Sequence, residues 1–158
     1  MKNNIRALLL HFIIVIISFI LLAIFVATGP KLGKYTTNIV TRVLVGVMLL
    51  LAYVFSGTLL YRNTGKKFDF FVGSSIGIIG LALWIYTFSK AGVKLFETIP
   101  EELSGCWVLM NIYYTPFTFL DFLFGLPNIP IISLLRNIVP TILMGLGLKY
   151  KRLKYKYR

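Results

Sequence analysis

The sequence predicts an all-α, polytopic integral membrane protein with four transmembrane helices and a re-entrant or interfacial segment before the last; five transmembrane helices are the alternative. Three observations carry this prediction. The 158 residues are 58% hydrophobic and only 14% charged, whereas soluble domains are about one-quarter charged. Mean hydropathy is +0.83, an apolar excess that calls for an apolar solvent. The apolar residues also collect in runs of roughly 18–22, close to the ~20 residues a helix needs to cross a hydrocarbon core ~30 Å thick.

The first run, ALLLHFIIVIISFILLAIFVAT, covers residues 7–28 and carries no formal charge. It is longer than the apolar region of a secretory signal, about 7–15 residues, and no convincing small-residue cleavage site follows. It therefore reads as a retained span that Gly29-Pro30 stops. The second run, residues 43–61, is bracketed by Arg42 and Arg62. The third, residues 70–89, follows Lys66, Lys67 and Asp69 and precedes Lys90, with Trp84 and Tyr86 suited to an interfacial aromatic belt. The last run, residues 131–148, contains Arg136, Asn137 and Pro140. Proline removes a helical donor, so a kink is expected one turn after Arg136.

Residues 106–127 are aromatic-rich but interrupted by Asn111, Pro116, Asp121, Gly125 and Pro127. Broken helices survive at membrane depth only where protein or water covers their freed backbone groups. The segment therefore reads as re-entrant or interfacial rather than as a span. The chain is one membrane domain followed by a basic tail, residues 149–158.

Seventeen Lys and Arg stand against five Asp and Glu, a net charge of +12. In a soluble chain this would point to nucleic acid. In a membrane, Lys and Arg in short loops instead set orientation. Four spans with both termini in the cytoplasm place 11 of these residues inside and 5 outside, with Arg136 in the membrane. Five spans with the N-terminus outside give the same split, so charge alone does not separate the two. The tail KYKRLKYKYR supplies six of the 11: Lys149, Lys151, Arg152, Lys154, Lys156 and Arg158. Each contributes about 1 kcal/mol near an anionic leaflet, which makes the tail a topology determinant and lipid anchor. The expected partners are the bilayer, with anionic headgroups at its cytoplasmic face, and either a second copy or a membrane partner subunit. Nucleic acid is not expected. The location expected is a cell membrane, and a composition rich in Ile, Lys, Asn, Phe and Tyr suggests an AT-rich bacterial genome.

Two constellations are candidate sites. Arg136 lies near the middle of the last run, where a charge costs roughly 2.5–3.5 kcal/mol on insertion scales and is a functional candidate by default. Asp121 is the acid that the Gly125–Pro130 turn could fold toward it. The pair could be a structural staple. Alternatively, Arg136 with Asn137, Tyr113 or Tyr114 could bind an anionic group, or Arg136 could snorkel toward the interface. The second constellation is Gly73, Gly77 and Gly80, at i, i+4 and i+7, a nearly bare helix face that permits close helix approach. Its partner is expected to be helix two, at Gly46 or Gly57, or else a second chain.

His11 and Cys106 are each the only residue of their type, so a site of several soft metal ligands is not expected. No G-x-S-x-G, P-loop, G-x-G-x-x-G or HExxH motif is present, and no cofactor or enzymatic activity is expected. Two functions follow. One is a non-enzymatic accessory, immunity-type or regulatory protein acting through helix–helix contacts at the glycine face. The other is a small transporter or lipid-handling protein built around the Asp121/Arg136 site.

Overall fold

The computed structural model describes residues 2–61 and 66–155. Arg62, Lys156 and Arg158, which the charge pattern uses for orientation, lie outside the described residues. Among the described residues the chain is helical and has no strand. Seven α-helices follow in order: α1 Lys2–Thr36, α2 Ile39–Thr58, α3 Ser74–Ala91, α4 Val108–Tyr113, α5 Thr115–Phe124, α6 Pro130–Arg136 and α7 Val139–Lys154. Short 3-10 helices at Lys66–Phe71 and Glu101–Trp107 lead into α3 and α4. Four helical segments are long and apolar enough to cross a membrane: Lys2–Lys34, Ile39–Thr58, Ser74–Ala91, and α6 with α7 as Pro130–Lys154. The molecule is a four-helix polytopic membrane protein.

The first helix does not stop at Gly29-Pro30. It continues to Thr36 with Pro30 inside it, and departs from helical geometry only at Leu32 (φ −113°, ψ 21°). Pro30 has no N–H to donate and its ring crowds the carbonyl one turn earlier, so the helix bends here rather than ending. Past the bend, the Thr36 hydroxyl donates to Leu32 O at 3.4 Å and the Thr37 hydroxyl to Gly33 O at 2.5 Å. Its buried positions, Asn3, Ala7, His11, Ile14, Val15 and Ser18, form one stripe at helical spacing. Leu8 and Leu10 flank this stripe and pack against the core, while Ile5, Leu9, Phe12, Ile13, Ile16 and Ile17 face outward.

Side chains tie the helix ends together. Asn3 Nδ2 donates to the Tyr61 carbonyl at 2.8 Å, and its Oδ1 accepts from the Tyr61 N–H at 3.0 Å. Asn4 Oδ1 accepts from the Gly73 N–H at 2.9 Å. Lys151 Nζ donates to the Leu60 carbonyl at 2.8 Å. The start of α1, the end of α2, the start of α3 and the end of α7 therefore meet at one end of the bundle. Gly73 there has φ 98°, a conformation that L side chains rarely adopt.

At the opposite end the Ile131 N–H donates to Leu95 O at 3.1 Å and the Ile99 N–H to Asn128 O at 3.0 Å. The segment between these bonds thus leaves and returns at the same end. α4 runs inward along α3, the chain turns at Tyr114, and α5 runs back along α1 and α2. This is a re-entrant hairpin, and it removes the five-span alternative. The break at its tip is covered as lipid requires. Thr115 Oγ1 donates to Ile112 O at 2.6 Å, and Thr118 Oγ1 to Asn111 O at 3.2 Å and Tyr114 O at 3.3 Å. The Tyr114 carbonyl also accepts the Phe117 and Thr118 N–H groups at 2.9 and 3.0 Å, so hydroxyls and backbone together pair the carbonyls at the break. Pro116, in the first turn of α5, sits where its missing N–H costs nothing.

The main core joins Tyr53, Ile76, Trp107, Met110, Tyr114 and Met144, all buried. The closest helix pair is α2 against α7. A Cβ on Gly57 would overlap the Met144 carbonyl, and one on Gly147 would overlap the Val54 carbonyl. Backbone thus meets backbone through small residues, the packing that apolar solvent favours.

Candidate polar centre and bilayer groove

α3 is the platform of the site. Its glycine face points inward, toward neither a second chain nor α2. A Cβ on Gly80 would overlap the Tyr114 hydroxyl and Asn137 Oδ1, and one on Gly77 would press on the Asn137 carbonyl. Gly73 faces Ala7 and Met144. The expected contact with helix two at Gly46 or Gly57 is corrected accordingly: Gly46 faces Leu120 and Phe124, and Gly57 faces Met144. The physical reason is the hairpin and the broken last span. Both bring bulky or irregular backbone to mid-depth, and only a bare helix face gives them room.

Two helix breaks therefore converge on α3. One is the hairpin tip at Tyr114, and the other is the junction of α6 and α7 at Asn137 and Ile138. The kink expected after Pro140 falls before it, because Pro140 occupies the first turn of a new helix. Asn137 Nδ2 donates to Leu134 O at 2.9 Å and so closes α6. Asn137 Oδ1 is buried with no partner, as is Ser133 Oγ one turn earlier.

Arg136 ends α6. Its Nη2 lies 2.5 Å from Asp121 Oδ2, with the two side chains only 7% and 16% exposed. Arg136 does not snorkel, and the pair joins the outward limb of the hairpin to the last span. Tyr113 and Tyr114 are not part of the pair: both hydroxyls donate to the Ile76 carbonyl, at 3.1 and 3.4 Å. Their rings instead enclose His11, which is fully buried, with Nδ1 2.9 Å from the Tyr53 hydroxyl and centroids 4.7 Å from Tyr113 and 5.8 Å from Tyr114. No family model, curated protein or solved structure matches this chain. Its chemistry is therefore read from these residues alone.

In the sequence His11 stands out only as the single histidine. The signal for its burial was present: Asn3, His11 and Ser18 fall on one α1 stripe with the buried Ala7, Ile14 and Val15. A second missed pair is Asp69 with Arg152, 2.8 Å apart, with Asp69 3% exposed. The tail residues divide accordingly. Lys151 and Arg152 turn inward to Leu60 and Asp69, while Lys149 and Lys154 remain exposed on α7. Among the described residues no cluster of three His, Cys, Asp or Glu could hold a metal ion.

Next to the polar centre, a groove of about 530 Å³ runs between α3 and the α6–α7 junction. Phe71, Ser74, Ile78, Leu134, Asn137 and Ile138 line it. Its polar groups are largely engaged elsewhere: Ser74 Oγ accepts from Asn4 at 3.2 Å, and Thr141 Oγ1 donates to Gly73 O at 3.1 Å. The walls are thus effectively apolar. Ile78 and Phe71, at 66% and 65% exposure, mark the open side.

Proposed function

We propose that this chain is a non-catalytic lipid-handling protein of the cell membrane, with both termini cytoplasmic, that takes an amphipathic molecule from the bilayer into the groove between α3 and α6–α7. The observation that carries this reading is the position of Asn137. It lines the groove, follows Arg136 of the buried ion pair, and forms the break in the last span. The polar centre and the lipid-facing surface therefore meet there. Broken helices at mid-depth are a recurrent way to build a binding site in membrane proteins. Lys149 and Lys154, exposed where both termini gather, support cytoplasmic termini by the positive-inside rule.

An accessory protein that binds a partner through Gly73, Gly77 and Gly80 has less support, because Met144, Asn137 and Tyr114 already occupy that face. The test is lipid retention. Wild-type protein taken through extensive detergent washing is expected to keep about one lipid per chain by native mass spectrometry. Ile78→Trp, which fills the groove from its exposed side, is expected to keep none. Equal retention by both would overturn the reading.

A further inference from the structure

The groove has a direction and a sign. It runs along α3 from Ser74 to Leu81, seven residues or about 10 Å. That is most of one leaflet, half of a hydrocarbon core ~30 Å thick. It opens at Phe70 and Phe71, beside Gly73, where the termini gather. Any chain seated in it thus comes from the leaflet on that side.

Charge at this mouth is one-sided. Lys149 Nζ stands 6.0 Å from the centroid of the Phe70 ring, which is itself a groove wall, and Lys149 is exposed. The acid at this end, Asp69, is buried and joined to Arg152 at 2.8 Å. Asp121 is joined to Arg136. Glu97, Glu101 and Glu102 lie in the stretch between α3 and α4, at the opposite end of the bundle. These are the five acids of the chain, and none presents free negative charge to the mouth.

We infer that the groove holds an acyl chain of an anionic glycerophospholipid from the termini-side leaflet, with its phosphate-bearing headgroup at Lys149. The walls supply apolar burial along about 10 Å of chain. Lys149 supplies an exposed ammonium for the phosphate, and its place over the Phe70 ring sets it beside the mouth. This assignment rests on the lipid-handling reading and adds the headgroup class and the leaflet to it.

The experiment uses the full chain in nanodiscs of equal parts phosphatidylglycerol and phosphatidylcholine, with the lipids that survive detergent extraction identified by native mass spectrometry. Wild-type protein is expected to retain phosphatidylglycerol preferentially. Lys149→Gln is expected to reduce that preference roughly fivefold, the effect of one cation near an anionic surface, with total retention unchanged. Ile78→Trp is expected to abolish retention of both lipids. Retention without headgroup preference, or a preference indifferent to Lys149→Gln, overturns the anionic assignment and leaves the lipid-handling reading standing. Retention indifferent to Ile78→Trp overturns both. Circular dichroism and monodispersity of each variant confirm that the bundle is intact, which the exposure of both positions leads one to expect.

Discussion

Ile99 donates its backbone N–H to the carbonyl oxygen of Asn128 at 3.0 Å, joining the two feet of a hairpin whose tip lies inside the bundle against His11. The bond matters because it fixes the parity of the chain. If residues 99 and 128 share one end, the 24 residues of Glu101–Phe124 make no crossing.

Topology follows directly. In a Cys106→Ala background, single cysteines at Thr98 and Leu126 are expected to react with a membrane-impermeant maleimide from the same side. A cysteine at Tyr155 is expected to react from the other side. Labelling of Thr98 and Leu126 from opposite sides would restore a fifth span.

The Asp121–Arg136 pair is expected to matter more for what it leaves behind than for what it contributes. Removing one member of a buried pair strands the other charge, at a cost of about 3–5 kcal/mol, while replacing both with neutral groups costs far less. Arg136→Gln should therefore lower the thermal midpoint in detergent sharply. The double change Asp121→Asn with Arg136→Gln should recover most of the loss. A double variant no better than the single one would assign Arg136 a role beyond the pair.

Gly80 is expected to tolerate no side chain. Alanine there meets the Tyr114 hydroxyl and ring and Asn137 Oδ1, and overpacking of this kind typically costs about 1–3 kcal/mol. Gly80→Ala should destabilise the monomer, and combining it with Tyr114→Leu should give a cost smaller than the sum of the two single changes. A loss of self-association at unchanged monomer stability would instead return the glycine face to an intermolecular role.

The tail is expected to be more than an anchor. Truncation after Leu148 removes the cation paired with buried Asp69 and the ammonium that caps Leu60 O. Truncation after Tyr155 removes neither. The first should destabilise the folded protein in detergent, where no leaflet charge is present, and the second should leave its thermal midpoint unchanged. Equal stability of the two would confine the tail to orientation.

Helix location was largely legible in the sequence, because apolar run length is a one-dimensional property set by bilayer thickness. The spans Ile39–Thr58 and Ser74–Ala91 lie within a few residues of where composition places them. Helix ends were less legible. Gly29-Pro30 reads as a stop, but proline can kink a helix without ending it, and α1 bends there and runs on to Thr36. The glycine spacing of α3 announced a close approach without naming what approaches, since a bare face suits any bulky partner equally.

By itself the sequence determined that this protein lives in a bilayer, where its four uninterrupted apolar runs lie, and that Asp121 and Arg136 are charges in need of partners. Only the tertiary structure decided that residues 101–124 fold inward and return, and that two helix breaks meet over Gly77 and Gly80. It also revealed that His11 is enclosed by three tyrosines and that a groove opens beside Asn137. The reason is physical. Hydropathy acts residue by residue along the chain, whereas satisfying a broken backbone or a buried charge in an apolar medium depends on groups far apart in sequence, and only their packing shows which ones meet.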